Sequence, residues 1–139
     1  MRWDTEDMDD FTLINLKDDV EDQAPKHGLS PMIEARPARV PLGLQNSGAS
    51  YYRFAPNYRT FGHHHTYQEE VYVILSGRAR AKLGETIVDL RPWDTLRVAP
   101  ETPRAFEAGP EGVELLAFGA PSRENGDAQM LAGWWTDEP

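Results

Sequence analysis

Residues 63–77 read HHHTYQEEVYVILSG and carry more information about this chain than any other stretch. The β-branched and aromatic run that ends it is typical of a strand. Alternate side chains of a strand lie on one face, so His63 and His65 point one way and His64 points the other. If the chain then turns and Glu70 begins the next strand, two imidazoles and one carboxylate converge. This is the donor set of 2-His-1-carboxylate metal sites, and the alternative is a solvated histidine cluster.

The same stretch resembles the first signature of the cupin superfamily, which is Gly, five residues, His-x-His, three or four residues, Glu, six residues and Gly. His63, His65, Glu70 and Gly77 stand at this spacing, and Asn57 replaces the first glycine. Asparagine tolerates the left-handed backbone better than other non-glycine residues, so the replacement is a mild departure. The resemblance covers roughly residues 45 to 120. It implies a small single-domain cupin in which His63, His65 and Glu70 hold a divalent metal such as iron, manganese, nickel or zinc.

The rest of the chain predicts an all-β protein, because short β-rich runs alternate with turn signals and little helix is indicated. The predicted strands cover residues 49–54, 70–75, 78–83, 86–90, 95–98, 104–107 and 113–118, with a further short one at 11–16. Residues 76–77 and 109–112 predict tight reversals. The expected architecture is an antiparallel β-barrel, or jelly roll, of the cupin type with an irregular N-terminal arm.

The length of 139 residues is enough for one domain with a core and too short for two. Nine acidic residues lie among the first 22, which predicts a partly flexible acidic segment at 1–25. Residues 26–139 are then a single barrel domain with a flanking arm and a C-terminal tail. The tail includes the apolar run MLAGWW at 130–135, which is expected to pack either on its own barrel or on a second subunit.

The net charge of −9 disfavours nucleic acid and anionic membranes as partners. The chain has no cysteine, so it can form no disulfide. No apolar run approaches the length of a membrane span, and the acidic start differs from a secretory signal. These features predict a cytoplasmic protein whose partner is a small molecule.

The strand that follows Glu70 is apolar on both faces. Tyr72 and Ile74 share the face of the candidate ligands, while Val71 and Val73 lie on the opposite face. Such a strand is expected to be covered on both sides, by the partner sheet and by either the N-terminal arm or a second subunit. A homodimer is therefore predicted.

The second cupin signature, Gly, five residues, Pro-x-Gly, two residues, His, three residues, Asn, is degenerate in this chain. Its five positions are occupied by Trp93, Ala99, Glu101, Arg104 and Ala108. In the family its histidine normally supplies a fourth metal ligand. A guanidinium cannot give up its proton to become a ligand, and it repels a cation beside it, so a four-ligand site is excluded.

Three roles remain open for Arg104. In the first, Arg104 lies beside a three-ligand metal site and binds an anionic group of the substrate. Alternatively it pairs with Glu70 in place of the metal and leaves a polar pocket for a carboxylate or phosphate compound. The third outcome is a remnant site whose charges only satisfy each other.

The predicted ligand-binding residues are Arg104, Tyr72 and Arg53. Alternation places Tyr51 and Arg53 on one strand face and Tyr52 and Phe54 on the other, so either pair is a candidate lining. No catalytic residue is predicted, because the remaining nearby histidine, His64, points away from the cavity.

The function expected from these features is binding of a small anionic ligand, with a divalent metal held by the His-His-Glu site. The first alternative is a metal-dependent cupin enzyme of the dioxygenase or isomerase class, and the second is a structural or storage barrel without a reaction. Fold alone does not separate them, because cupin barrels host many unrelated activities.

Overall fold

The computed structural model describes residues 10–123 and 126–137, and their architecture is almost entirely β. The strands are β1 Ile33–Pro37, β2 Gly48–Phe54, β3 Gly62–His65, β4 Glu69–Leu83, β5 Thr86–Leu90, β6 Thr95–Val98, β7 Arg104–Ala120 and β8 Ala128–Leu131. A 3₁₀ turn at Ala24–His27 precedes β1, and one helical turn, α1 (Arg39–Leu42), follows it. The predicted all-β class is therefore confirmed.

The two long strands, β4 and β7, pair with each other in antiparallel orientation and belong to both halves of the barrel. The first half of β4 pairs with β6 on one side and with the second half of β7 on the other; β7 continues through β2 to β1. The second half of β4 pairs with β5, while the first half of β7 reaches β3, which pairs with β8. The eight-stranded sheet thereby curls into the predicted jelly roll.

The two long strands bend together at Gly77. In the register, Gly77 pairs with Val113 and Ala79 pairs with Ala108, so residues 109–112 form a bulge opposite one residue of β4. Gly77 has φ of +77°, and a Cβ built there would lie 2.1 Å from the carbonyl oxygen of Gly112. The reversals predicted at 76–77 and 109–112 are therefore wrong. The glycine signals there mark a bend within continuous strands.

The barrel interior is filled by apolar side chains from strands of both halves. The buried cluster includes Phe54, Tyr72, Ile74, Leu90, Phe106 and Leu115. The second half of β4 alternates between an inner and an outer face, because Ala79 and Ala81 are buried and Arg78 is exposed.

The N-terminal arm packs on β1 rather than forming a strand, so the strand predicted at 11–16 is wrong. Val20 and Ala24 are buried. The carboxylate of Asp22 accepts the backbone N–H groups of Ala24 at 3.0 Å and of Ala35, in β1, at 2.9 Å. This local side-chain bonding holds the arm in an irregular path. Residues 1–9 of the predicted acidic segment lie outside the described residues.

The C-terminal segment packs on its own barrel. β8 adds to the edge of β3, and Trp134 lies against Gly62 of that strand. The indole Nε1 of Trp135 donates to the carbonyl of Thr60 at 3.0 Å. Of the two expectations for the tail, packing within the chain is the one observed. Among the described residues, no helix combines the length and apolar character needed to cross a membrane.

The outer face of the first half of β4 is only half-buried at Val71 and Val73. Leu42 and Leu44, in and after α1, line a surface hollow together with Val71 and Phe118, so the connection after β1 covers part of this face. The homodimer remains a prediction.

Candidate metal and ligand site

The structure brings the three predicted metal ligands together. His63 and His65 project from β3 and Glu70 projects from the start of β4, and their ligand atoms lie within 4.8 Å of one another. Glu70 Oε1 is 3.6 Å from His63 Nε2 and 3.0 Å from His65 Nε2. His64 is not a member of this group, as its alternate position in the strand predicts. These three residues are called the triad below.

Asp127 fixes the orientation of the His65 ring. Its Oδ1 lies 2.7 Å from His65 Nδ1, and its Oδ2 accepts the backbone N–H groups of Tyr67 at 2.6 Å and Gln68 at 2.9 Å. Because an ionised carboxylate only accepts hydrogen bonds, the Nδ1 of His65 carries the proton. The Nε2 lone pair of the neutral ring is then free for a metal, and this carboxylate–histidine arrangement is typical behind metal ligands.

His65 Nε2 is a buried nitrogen without a hydrogen-bond partner among the described residues. It lies 3.0 Å from Glu70 Oε1, but the two atoms lack the alignment of a hydrogen bond. A buried polar atom left unpaired destabilises the fold unless something else satisfies it. The atom therefore points to a missing partner at the centre of the triad.

Electrostatics keep Glu70 anionic. Burial raises the pKa of its carboxyl, but the contacts with His63, His65 and Tyr72 outweigh that effect and hold the pKa well below its usual value. Burial also lowers the pKa of His65, while Glu70 and Asp127 together raise it above its ordinary value. A positive charge is thus favoured between the two carboxylates, whether it is carried by a proton or by a metal ion.

Arg104 lies directly opposite His63 in the pairing of β3 with β7, and it is completely buried. Its Nη1 lies 3.3 Å from Glu70 Oε1, and its Nη2 donates to the carbonyl of Ala99 at 2.8 Å. The Tyr72 hydroxyl donates to the same Glu70 oxygen. The guanidinium is therefore held against Glu70 and does not line the cavities next to the triad.

The triad fits a divalent ion in its donor types and spacing. Donor atoms about 2.1 Å from a common ion lie roughly 3.0 to 3.4 Å apart at octahedral or tetrahedral angles. The distance of 3.0 Å from Glu70 Oε1 to His65 Nε2 lies in this range, and the distance of 3.6 Å to His63 Nε2 is slightly longer. Two histidines and one carboxylate suit iron(II) and related ions. The Arg104 charge opposes the ion but is balanced by Glu70.

Two cavities meet at the triad. The first, about 250 Å³, is apolar and contains Tyr52, Phe54, Phe106, Leu115 and Met130 in its lining, with His63, Glu70 and Tyr72. The second, about 360 Å³, has polar residues in its wall, namely Arg39, Ser50, Gln68 and Ser122, with all three triad residues. They are called the apolar cavity and the polar cavity below. A ligand in either one lies next to the candidate metal position.

Arg53 lies away from these cavities. Its Nε is 3.4 Å from Glu34 Oε1, and its Nη2 is 3.3 Å from the carbonyl oxygen of Pro31. Tyr52 and Phe54, on the other face of β2, supply the cavity lining instead. Alternation along a strand defines two faces but does not say which one is inside.

Sequence reasoning missed Asp127 and Arg39. Asp127 is brought to His65 because β8 pairs with β3, a contact between segments more than 60 residues apart that no local motif signals. Arg39 is the last residue of the stretch 32–39, whose local sequence pattern does not decide between helix and strand. It is extended as β1 up to Pro37 and then turns into α1, which places Arg39 in the wall of the polar cavity.

The backbone is left-handed at two residues that stand where the cupin signatures have glycine. Asn57 has φ of 63° and Trp93 has φ of 74°, both in the left-handed region. Trp93 is 76% exposed, so its side chain adds little to the core. At both positions the backbone therefore has the conformation that favours glycine.

Comparison with known proteins identifies the fold. No family model matches the sequence, and no curated protein matches it. A cupin protein from Bacteroides fragilis superposes with a TM-score of 0.67 at 19% identity, covering 95% of this chain and 93% of that one. The polyketide cyclase RemF from Streptomyces resistomycificus gives 0.68 at 17% identity, covering 88% and 87%. Oxalate decarboxylase from Bacillus subtilis gives 0.71 at 21% identity and covers 93% of this chain, which spans only 35% of the enzyme. The chain has the cupin fold.

Proposed function

We propose that this cupin-fold protein binds one divalent metal ion through His63, His65 and Glu70 and presents it to a small organic ligand. The observation that carries the proposal is the environment of His65. Its ring is held by Asp127 at 2.7 Å through Nδ1, and its buried Nε2 has no hydrogen-bond partner among the described residues. A metal ion between the three donors would satisfy that nitrogen.

The chain's own residues divide the work around this position. Asp127 sets the tautomer and direction of His65, while Tyr72 and Arg104 hold the Glu70 carboxylate through one oxygen, Oε1. The apolar and polar cavities provide room for a ligand beside the triad. A bound divalent ion would act there as a Lewis acid toward an oxygen atom of that ligand.

The second candidate function is catalysis, which is favoured by the small number of metal-ligating side chains at the site. Only three donors converge among the described residues, so a metal here keeps open positions, as catalytic sites do. The cupin resemblance supports an enzyme of the dioxygenase or isomerase class. Metal-dependent turnover of a small compound would distinguish an enzyme from a binding protein.

The direct test is metal loading of untagged protein. Wild type is incubated separately with iron(II) under anaerobic conditions, manganese(II), nickel(II) and zinc(II), freed of excess metal by gel filtration, and analysed by elemental mass spectrometry. About one ion per chain is expected for at least one metal. Glu70→Ala and His65→Ala should lose it, because each removes a donor.

His64→Ala is the matched control, since it removes an imidazole from the same strand but not from the triad. It should retain the ion, and circular dichroism should show that every variant is folded. Wild type that holds no ion, or a loss as large in His64→Ala as in His65→Ala, would overturn the proposal. In the first case, metal uptake by Arg104→His would favour the metal-free pocket, in which the Arg104–Glu70 pair takes the place of the ion.

A further inference from the structure

Arg39 is unusual among the arginines that are at least half-buried. Arg36, Arg59, Arg80 and Arg104 each have a carboxylate partner. The side chain of Arg39 has no ion pair or hydrogen bond to any described residue, and its Nε atom is buried without a partner. A guanidinium has five N–H donors and a permanent charge, and the buried Nε donor of Arg39 stays unsatisfied until an acceptor arrives.

The backbone holds Arg39 at the wall of the polar cavity. The preceding residue, Ala38, is completely buried and donates its N–H to the carbonyl of Ala49 in β2 at 2.8 Å. The amide of Leu42 in turn donates to the carbonyl of Ala38 at 2.9 Å. The first bond ties the chain to the barrel just before Arg39, and the second closes the helical turn that contains it. The side chain lines the cavity that also contains the triad.

The charges around the polar cavity favour an anion. Glu70 and Arg104 carry opposite charges and lie 3.3 Å apart, so they largely cancel. Among the described residues that line the polar cavity, Glu70 is the only acidic one. No described residue therefore compensates the charge of Arg39, and a divalent ion on the triad would add to that charge.

The apolar cavity has room for an uncharged group attached to such an anion. The two cavities share Tyr52, His63, Glu70, Ala117 and Met130 in their linings. Its volume of about 250 Å³ is sufficient for a ring, since a cavity of about 150 Å³ accepts benzene. Aromatic side chains from Tyr52, Phe54 and Phe106 provide the surface against which a ring packs.

We propose that the ligand is a small carboxylate with an aromatic or similarly apolar body, and that Arg39 binds the carboxylate while the body lies in the apolar cavity. Guanidinium and carboxylate match in shape and can form two parallel hydrogen bonds. The inference deepens the proposed function, because this ligand is the one presented to the metal. Arg39, rather than Arg104, is then the residue that selects for an anion.

The test is calorimetric titration of benzoate and of its neutral analogue benzamide into full-length protein, both zinc-loaded and metal-free. Wild type should bind benzoate more tightly than benzamide. Arg39→Ala should weaken benzoate binding roughly tenfold to a hundredfold and leave benzamide binding unchanged. Arg39→Lys should recover only part of the loss, because lysine keeps the charge but not the paired hydrogen bonds.

Arg78→Ala is the control for the loss of one positive charge, since Arg78 is exposed on β4 and outside both cavities. It should leave benzoate binding unchanged. Equal affinity for benzoate in wild type and Arg39→Ala would overturn the inference, and so would wild type that binds neither compound. Inorganic phosphate that binds as tightly as benzoate would overturn the assignment of a carboxylate with an apolar body.

The two proposals fail separately. If zinc is not bound but metal-free protein binds benzoate in an Arg39-dependent way, the metal proposal fails and the carboxylate inference stands. If zinc is bound and Arg39→Ala has no effect, the reverse holds.

Discussion

Arg104 and Arg39 are both near the triad, but their surroundings are opposite. Arg104 is fully buried and contacts Glu70 and the carbonyl of Ala99. Arg39 is half-buried, lines a cavity and has no partner among the described residues. The contrast separates two uses of the same side chain. A guanidinium that is already paired belongs to the fold, whereas an unpaired one in a cavity wall is available to a ligand.

The largest effect is expected from removing the paired arginine. Arg104→Met should lower the free energy of unfolding by about 3 to 5 kcal/mol, because it leaves the buried Glu70 carboxylate without its cation. Arg39→Met should lower it by less than about 1 kcal/mol, since no hydrogen bond or ion pair to a described residue is lost. Urea unfolding of the metal-free proteins measures both. Similar losses in the two variants would break the distinction between them.

A second test concerns Asp127, the carboxylate that orients His65. Asp127→Asn should weaken zinc affinity about 10- to 100-fold, because the amide no longer fixes the tautomer and direction of His65. Competition with a chromophoric chelator gives the affinity. Asp89→Asn, at an exposed position on β5, is the matched control and should bind zinc as wild type does. Arg39→Met should also leave zinc affinity nearly unchanged, and a loss there equal to that of Asp127→Asn would contradict the division of roles.

Replacing each arginine by histidine should also distinguish the two positions, this time through a gain in zinc affinity. Arg104→His should raise zinc affinity by about tenfold or more, because it removes a cation 3.3 Å from Glu70 and adds a nitrogen donor where the cupin signature has one. Arg39→His should change zinc affinity little, since that position is proposed to face the ligand. The same chelator competition applies. An Arg104→His variant that is folded and binds zinc no better than wild type would show that Arg104 does not oppose the metal.

The smallest expected effect concerns the hydroxyl that shares Glu70 with Arg104. Tyr72→Phe removes the hydrogen bond to Glu70 Oε1 and should lower the free energy of unfolding by about 1 kcal/mol. Tyr58→Phe is the control, because Tyr58 also lines the apolar cavity and no described residue accepts a hydrogen bond from its hydroxyl. Tyr58→Phe should lower the free energy of unfolding by less than Tyr72→Phe does, as measured by urea unfolding. Equal losses would mean that Arg104 alone holds the carboxylate.

The triad and the fold class could be predicted from the sequence because they depend on local spacing. His63 and His65 are two residues apart on one strand, and Glu70 begins the strand that follows after one short turn. Strand alternation and a single reversal are enough to bring such residues together. The position of Arg104 also followed from the register of the second signature, and the structure places it beside Glu70.

The remainder depended on long-range pairing that local patterns do not encode. Asp127 reaches His65 only because β8 adds to β3. Alternation along β2 could not show that Arg53 lies outside the two cavities, because it leaves the inner face of the strand undetermined. The bends at Gly77 and at 109–112 were interpreted as reversals because glycine and proline mark a bulge and a turn alike. In each case the deciding information lies in the partner strand.

The close approach of β4 and β7 at Gly77 also restricts how this sequence can vary. A Cβ at Gly77 would lie 2.1 Å from the Gly112 oxygen, and one at Gly112 would lie 2.9 Å from the Phe54 oxygen. Both glycines have φ near +80°, at 77° and 80°, so every other residue would meet strain as well as collision. In a saturation-mutagenesis library these two positions should tolerate almost no replacement, although neither belongs to the triad. The curvature that closes the barrel is therefore encoded by the absence of side chains at one crossing point.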